Sequence, residues 1–408
     1  MSVNELHSWI GLLFGCLLFT VFLTGTLTVF DNEITDWMQQ PEYVRLSSDA
    51  RELDGASPSV TAVGRQTGYL TGDASIGRPP LLLVKLQKNR SFTGQTIDPD
   101  TGEMVTFRNT QGGDFFYHFH HGLLLGFPGA WIVGTAGMGM LVTLVTGVGI
   151  HRRGLKDVLV FWPRFSHQRA WLDTHNLTGI VVFPFHLMIT FTGLMIFWSI
   201  YVPTDLQFLS GGDSTLSLLS DLHFAQFGSA ALRWVYFLMG LAASVMIATG
   251  LVLWSNKRRK HHVERPGITR YRVVEVLNVA TVAGLPVAIA AYFWANRVLP
   301  LSLVDRPLWE TRCFFILWCC CLAHSLLRGG SIFAWRDQLY AAAVLFALLP
   351  LLNGLMTDGH LLMTVPKGEW AVAAFDLTAL AAGLLLGWTS RRIGSAARRE
   401  PLHARLSQ

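Results

Sequence analysis

The residues in this chain best suited to chemistry are histidines, and their spacing is not random. Of 14 histidines, four recur in an ungapped internal repeat. One strand of the repeat reads His7-x3-Gly11-x12-Thr24-Gly25 and returns as His175-x3-Gly179-x12-Thr192-Gly193. The other reads His120-x10-Trp131-x14-Thr146-Gly147 and returns as His223-x10-Trp234-x14-Thr249-Gly250. Parallel membrane repeats are related by an axis along the membrane normal, so His7 is expected opposite His175 and His120 opposite His223. Two facing imidazoles are the axial ligation that a b-type haem needs, and helix-bundle cores are where such sites are built. Histidines that merely sit in the headgroup region are the plainer reading, but that accounts more readily for one residue than for two symmetric pairs. The Thr-Gly dipeptides suit close helix approach.

His186 follows His175 by 11 residues, which on a straight helix puts both on one face about 16 Å apart. A histidine near the middle of a bilayer is costly and is a functional candidate by default; its alternative is a hydrogen bond to a neighbouring carbonyl. Haems held only at the two edges would lie far apart, and His186 is positioned to fill the gap, as ligand of a central haem or as partner of an outer histidine. His151 is a further inner candidate, and His118 and His121, which flank His120, are alternates or substrate contacts. Spacing does not assign these pairs uniquely.

The elements that must position these histidines are membrane helices. The composition is 51% hydrophobic and only 14% charged, where a soluble protein carries about a quarter charged residues; most soluble readings are excluded, and disorder with them. Eight apolar runs are long enough to span a bilayer: 9–30, 130–150, 176–200, 230–254, 273–294, 311–328, 337–357 and 369–389. Arg152-Arg153 and Lys257-Arg258-Arg259-Lys260 abut helix ends, which by the positive-inside rule puts both termini in the cytoplasm. These basic clusters read as topology signals rather than nucleic-acid contacts. The division expected is a first transmembrane helix (1–30), an outer insert (31–129), spans two to four (130–255), which form the haem-binding core with the first, and spans five to eight with a cytoplasmic tail (256–408).

The insert has strand-like runs at 81–86, 92–97 and 104–107 around a turn, Asp98-Pro99-Asp100-Thr101-Gly102, whose Pro and Gly fit turn geometry. It reads as a small α+β domain. Trp37, Tyr43, Phe115, Phe116 and Tyr117 are candidates to line an outer substrate site, though aromatics also form interface belts. Asp376 and Glu275 are the notable acids, suited to pair with an arginine such as Arg233 or Arg312 or to handle protons, the pairing being the plainer reading. The five cysteines lie in or beside spans and form no framework. No nucleotide- or flavin-binding motif is present. Electron transfer through haem needs no general base, so no catalytic residue is assigned.

The stretches Leu6–Gly11, His120–Gly126, His175–Gly179 and Pro184–Thr190 resemble the PepSY-associated transmembrane family, and Ile97–Glu103 looks like the signature turn of a PepSY domain. The resemblance covers roughly residues 1–255. It implies an all-α polytopic protein of the bacterial inner membrane with a periplasmic PepSY-like insert. It further implies haem b, two per chain, bound through His7, His120, His175 and His223, with His186 and His151 as extra candidates. The activity implied is electron transfer across the membrane, from quinol or a cytoplasmic reductase, to a ferric siderophore in the periplasm. The rival is a non-redox role: an iron or siderophore permease, or a PepSY-type binding or sensor protein. A permease would want broken helices and polar groups at the midplane, and besides His186 few are evident.

Overall fold

A computed structural model describes residues 2–39, 41–43, 82–88, 91–97, 104–151, 167–201, 213–225, 228–263, 269–329 and 331–406. The first helix, α1 (Val3–Thr28), starts at a capping box in which Ser2 and Glu5 satisfy one another's backbone N–H groups. The short helix α2 (Asp31–Gln39) follows. The insert then contributes an antiparallel four-stranded sheet of order β1-β4-β3-β2, with β1 Pro41–Tyr43, β2 Leu82–Lys88, β3 Ser91–Ile97 and β4 Met104–Phe107. Three of these coincide with the strand-like runs of the sequence. The Asp98–Gly102 turn lies outside the described residues.

Next come α3 (Asp114–Gly122), α4 (Phe127–His151), α5 (His167–Val181), α6 (Phe183–Ile196), α7 (Asp213–Phe224) and α8 (Ala230–Val263). The second half holds α9 (Thr269–Asn278), a π-helical turn (Val279–Ala283), α10 (Gly284–Val298), α11 (Arg306–Arg328), α12 (Ile332–Met356), α13 (Leu361–Lys367) and α14 (Trp370–Leu406). Among the described residues seven helices are long and apolar enough to cross a membrane, α9 through α10 counting as one. The bent pair α5–α6 makes up to eight. The chain is a multi-pass helical membrane protein.

That bend corrects the straight-helix reading of span three. The axis turns by 63° between α5 and α6, because Pro184 in the first turn of α6 has no N–H to donate and its ring clashes with the preceding turn. His175 and His186 therefore stand on different helices, and their 11-residue spacing does not stack them on one face.

Spans five to eight, which carry no readable motif, clamp both ends of the insert. On one side Trp37 is fully buried; its Nε1 donates to Asp376 Oδ1 at 2.8 Å, and its carbonyl accepts from Arg297. On the other, Thr110 donates to Glu310 Oε2 at 2.5 Å, Arg306 donates to the Asn109 carbonyl at 2.9 Å, and Tyr292 donates to the Gly112 carbonyl at 2.9 Å. Arg306 and Glu310 form a fully buried ion pair at 2.6 Å, and Asn296 completes the carboxylate's shell at 2.8 Å. Asp376 thus pairs with Trp37 and Asn353, and its neighbouring arginine is Arg297 rather than Arg233 or Arg312; Glu275 accepts from Tyr271, and Arg233 holds Glu33 at 2.6 Å.

Candidate functional site

The repeat places its histidines as pairs. The rings of His7 and His175 lie 6.4 Å apart between centroids, and those of His120 and His223 lie 6.2 Å apart. The first pair sits at the end of the bundle that carries the chain's N-terminus, the second at the insert end. His120 and His223 stand not on spanning helices but on the short helices α3 and α7. Each of these is followed by left-handed backbone, at Leu123 (φ 52°) and Ala225 (φ 54°), which turns the chain back toward the next span. At the first of these turns Gly129 is obligatory, since a Cβ there would lie 1.7 Å from the Gly122 carbonyl oxygen.

All four rings are seated at a Thr-Gly dipeptide. In three of them Nδ1 meets the carbonyl three residues before the threonine of that dipeptide: His120 reaches Val21 O at 2.8 Å, His7 reaches Thr143 O at 3.0 Å and His175 reaches Met246 O at 2.8 Å. His223 Nδ1 lies against the hydroxyl of Thr192, in the same turn as Ile189. In every seat that threonine hydroxyl donates backwards into its own helix, Thr24 to Thr20 O, Thr146 to Val142 O, Thr249 to Val245 O and Thr192 to Met188 O. The hydroxyl oxygen then accepts from the ring in three of the four: His7–Thr146 at 3.1 Å, His175–Thr249 at 3.3 Å and His223–Thr192 at 3.0 Å.

The glycine makes room. A Cβ would approach the ring to 2.5 Å at Gly25 (His120), 2.9 Å at Gly193 (His223), 3.1 Å at Gly250 (His175) and 3.5 Å at Gly147 (His7). Close helix approach, the role expected for these dipeptides, is thus only part of their use: they are histidine seats. A carbonyl oxygen can only accept, so Nδ1 carries the proton where it meets one, and in a neutral ring Nε2 then keeps the lone pair. At the insert end desolvation lowers the pKa of His120 and carries that of His223 down to about 3, with the neighbouring His120 as the second cause. Both rings are neutral there.

A cavity of about 610 Å³ adjoins the insert-end pair, lined by His120, His223, Gly25, Gly137, Gly193 and Arg233 among others. Tyr117 and His121 also line it. His186 is fully buried one turn before Ile189; neither ring nitrogen has a hydrogen-bond partner, and its ring meets Phe22 edge-on at 5.3 Å. The carbonyl bond that would make it an ordinary structural histidine is not there.

Other sequence candidates fare differently. His118 and His121 do not stand in for His120; their rings pair with each other at 5.4 Å. His151 ends α4, and its side chain lies outside the described residues. Trp37, Phe115 and Phe116 line no substrate site, being fully buried in the core. On α3 the apolar face packs against the second half: Phe115 stacks on Tyr292 at 4.6 Å, Phe116 meets Phe293 at 5.8 Å and Phe119 meets Phe315 at 5.7 Å. His120, one residue on from Phe119, is turned to the adjoining face and meets His223. No group of three or more His, Cys, Asp or Glu that could hold a metal ion occurs among the described residues.

The two imidazole pairs can be tested against a shared metal. Nitrogen–metal bonds of about 2.0–2.1 Å put each ring centre roughly 3.2 Å from the ion, so trans imidazoles lie roughly 6.3 Å apart between centroids. The observed 6.4 Å and 6.2 Å leave room for one ion between two rings, and the fixed Nδ1 partners would favour ligation through Nε2.

Comparison with known proteins gives two findings. The family described as PepSY-associated TM region matches residues 5–212 and 203–257. An uncharacterized protein of Pseudomonas aeruginosa is 25% identical over 403 residues, covering 72% of this chain and 98% of the relative.

Proposed function

This chain belongs to the PepSY-associated TM region family, and from that premise we propose that it is an inner-membrane b-type haem protein that passes electrons to ferric siderophores in the periplasm. The observation that carries the reading is the pair of facing, similarly seated imidazole couples, His7 with His175 and His120 with His223. When bound, haem b supplies a one-electron carrier at each level. His7 and His175 would hold one and His120 and His223 the other, and the fully buried His186, with no hydrogen-bond partner, is the group available between them.

The chain's own part is positional. The Thr-Gly seats fix each ring, and its tautomer where Nδ1 meets a carbonyl, so that Nε2 is offered as ligand without rearrangement. The apolar spans keep water away from the path. With α5–α6 counted as one broken span the termini share one side, and the positive-inside rule supports the cytoplasm for them and the periplasm for the four-stranded, PepSY-like insert. The cavity beside His120 and His223 lies at the insert end, the side on which a ferric chelate would arrive. Electrons come from quinol or a cytoplasmic reductase. Reduction to Fe(II) loosens the hard oxygen ligands of the chelate and releases iron.

A stopped-flow experiment tests this. Dithionite-reduced protein, freed of excess reductant, is mixed anaerobically with a ferric hydroxamate siderophore. Reoxidation of the haem bands with matching appearance of Fe(II) is expected. Bands that stay reduced would remove the siderophore from the account and leave a membrane cytochrome.

A further inference from the structure

We propose that His118 and His121 form a separate, solvent-facing site for a divalent first-row transition ion at the rim of the insert-end cavity. The two residues are one turn apart on α3, where positions i and i+3 are neighbours. Their ring centroids are 5.4 Å apart with planes inclined at 57°. Ring centres roughly 3.2 Å from a shared ion would then subtend an angle of roughly 115°, close to tetrahedral cis ligation. The pairs His7–His175 and His120–His223 are wider, at 6.4 Å and 6.2 Å. One helix thus carries two kinds of imidazole geometry on different faces.

The tautomer is set here too. His121 Nδ1 donates to the Tyr117 carbonyl at 2.8 Å, leaving Nε2 to bind. His118 is exposed, and His121 lines the cavity together with Tyr117. The internal repeat supplies independent support. It keeps His120 as His223 but replaces His118 by Asp221 and His121 by Phe224. The pair is therefore not part of the repeated seat, and it occurs only in the unit that follows the insert.

Imidazole suits divalent iron, cobalt, nickel and zinc, and two ligands on an exposed helix bind an ion that must leave again. Resting on the reductase reading, the natural occupant is the Fe(II) released beside His120, held briefly before it passes on.

Co(II) binding to tag-free, full-length protein in detergent tests the site, read by equilibrium dialysis and by calorimetry. The wild type is expected to bind one Co(II) that the double variant His118→Gln/His121→Gln binds at least tenfold more weakly, with the haem spectrum unaltered. Equal Co(II) binding by wild type and double variant, or no binding by the wild type, would overturn the proposal and leave the two rings as a packing cluster with Tyr117. Should the double variant not accumulate, His118→Gln alone, at an exposed position, is expected to weaken Co(II) binding, and unchanged affinity there counts equally against the site. Absence of a Soret band in the wild type defeats the haem reading without deciding this one, because Co(II) binding is measured whatever the haem content.

Discussion

His120 faces His223 at 6.2 Å although neither residue lies on a membrane-spanning helix. Each is carried by a short helix and is held in place by a seat on a spanning helix of its own repeat unit: Val21 and Gly25 of α1 for His120, Ile189, Thr192 and Gly193 of α6 for His223. The placement of both rings thus comes from spans that contribute no member of that pair.

A graded series of glycine substitutions follows. Gly25→Ala puts a methyl 2.5 Å from His120 Nδ1, whereas Gly147→Ala puts one 3.5 Å from His7 Cε1, an ordinary contact. Gly25→Ala is expected to lose about half the bound haem or to shift one of two reduction potentials. Gly147→Ala is expected to leave both unchanged. Haem content and potentiometric titration of the two variants make the comparison, and identical behaviour would contradict the seat.

His186→Leu separates structural from functional need. Both ring nitrogens are buried and unpartnered, which costs about 1–3 kcal/mol in a folded protein. The variant should therefore melt no lower than the wild type. Its haem spectrum or electron-transfer rate should change if the ring serves the carrier path. A variant identical in both stability and spectrum would leave His186 with no role.

Phe115→Ala probes how the second half positions His120. Phe115 is fully buried against Tyr292 and Phe314, and such a truncation costs about 3–5 kcal/mol. The insert-end haem signal is expected to broaden or disappear before that of His7 and His175. Equal loss of both signals during thermal titration would show global unfolding instead.

Glu310→Gln leaves Arg306 as a buried charge without its counter-ion. Breaking such a pair costs about 3–5 kcal/mol. A melting temperature well below the wild type is expected, together with faster proteolysis of the insert, whose second end Glu310 holds through Thr110. Replacing the exposed Leu327 by Ala is a control that should alter neither.

The facing pairs were legible in the sequence because an ungapped repeat imposes symmetry whatever the loops do. The straight-helix reading of His175 and His186 failed at Pro184, a signal present in the sequence and outweighed by the apolar run around it. Three strands were legible from composition; β1, only three residues long, has no pattern to read. The clamp of spans five to eight was not legible, because pairs such as Trp37 with Asp376 join residues far apart in the chain and follow no helical period. The same holds for Phe115 and Phe116, whose aromatic character suits a substrate site as well as a core.

The central claim is that the two histidine pairs bind haem, and the absorption spectrum of the purified protein tests it most directly. The account predicts a Soret band, an α-band on dithionite reduction and about two haems b per chain by pyridine haemochrome, falling to about one in His120→Ala and in His175→Ala. A colourless protein, or one whose haem content is the same in both variants as in the wild type, would contradict it.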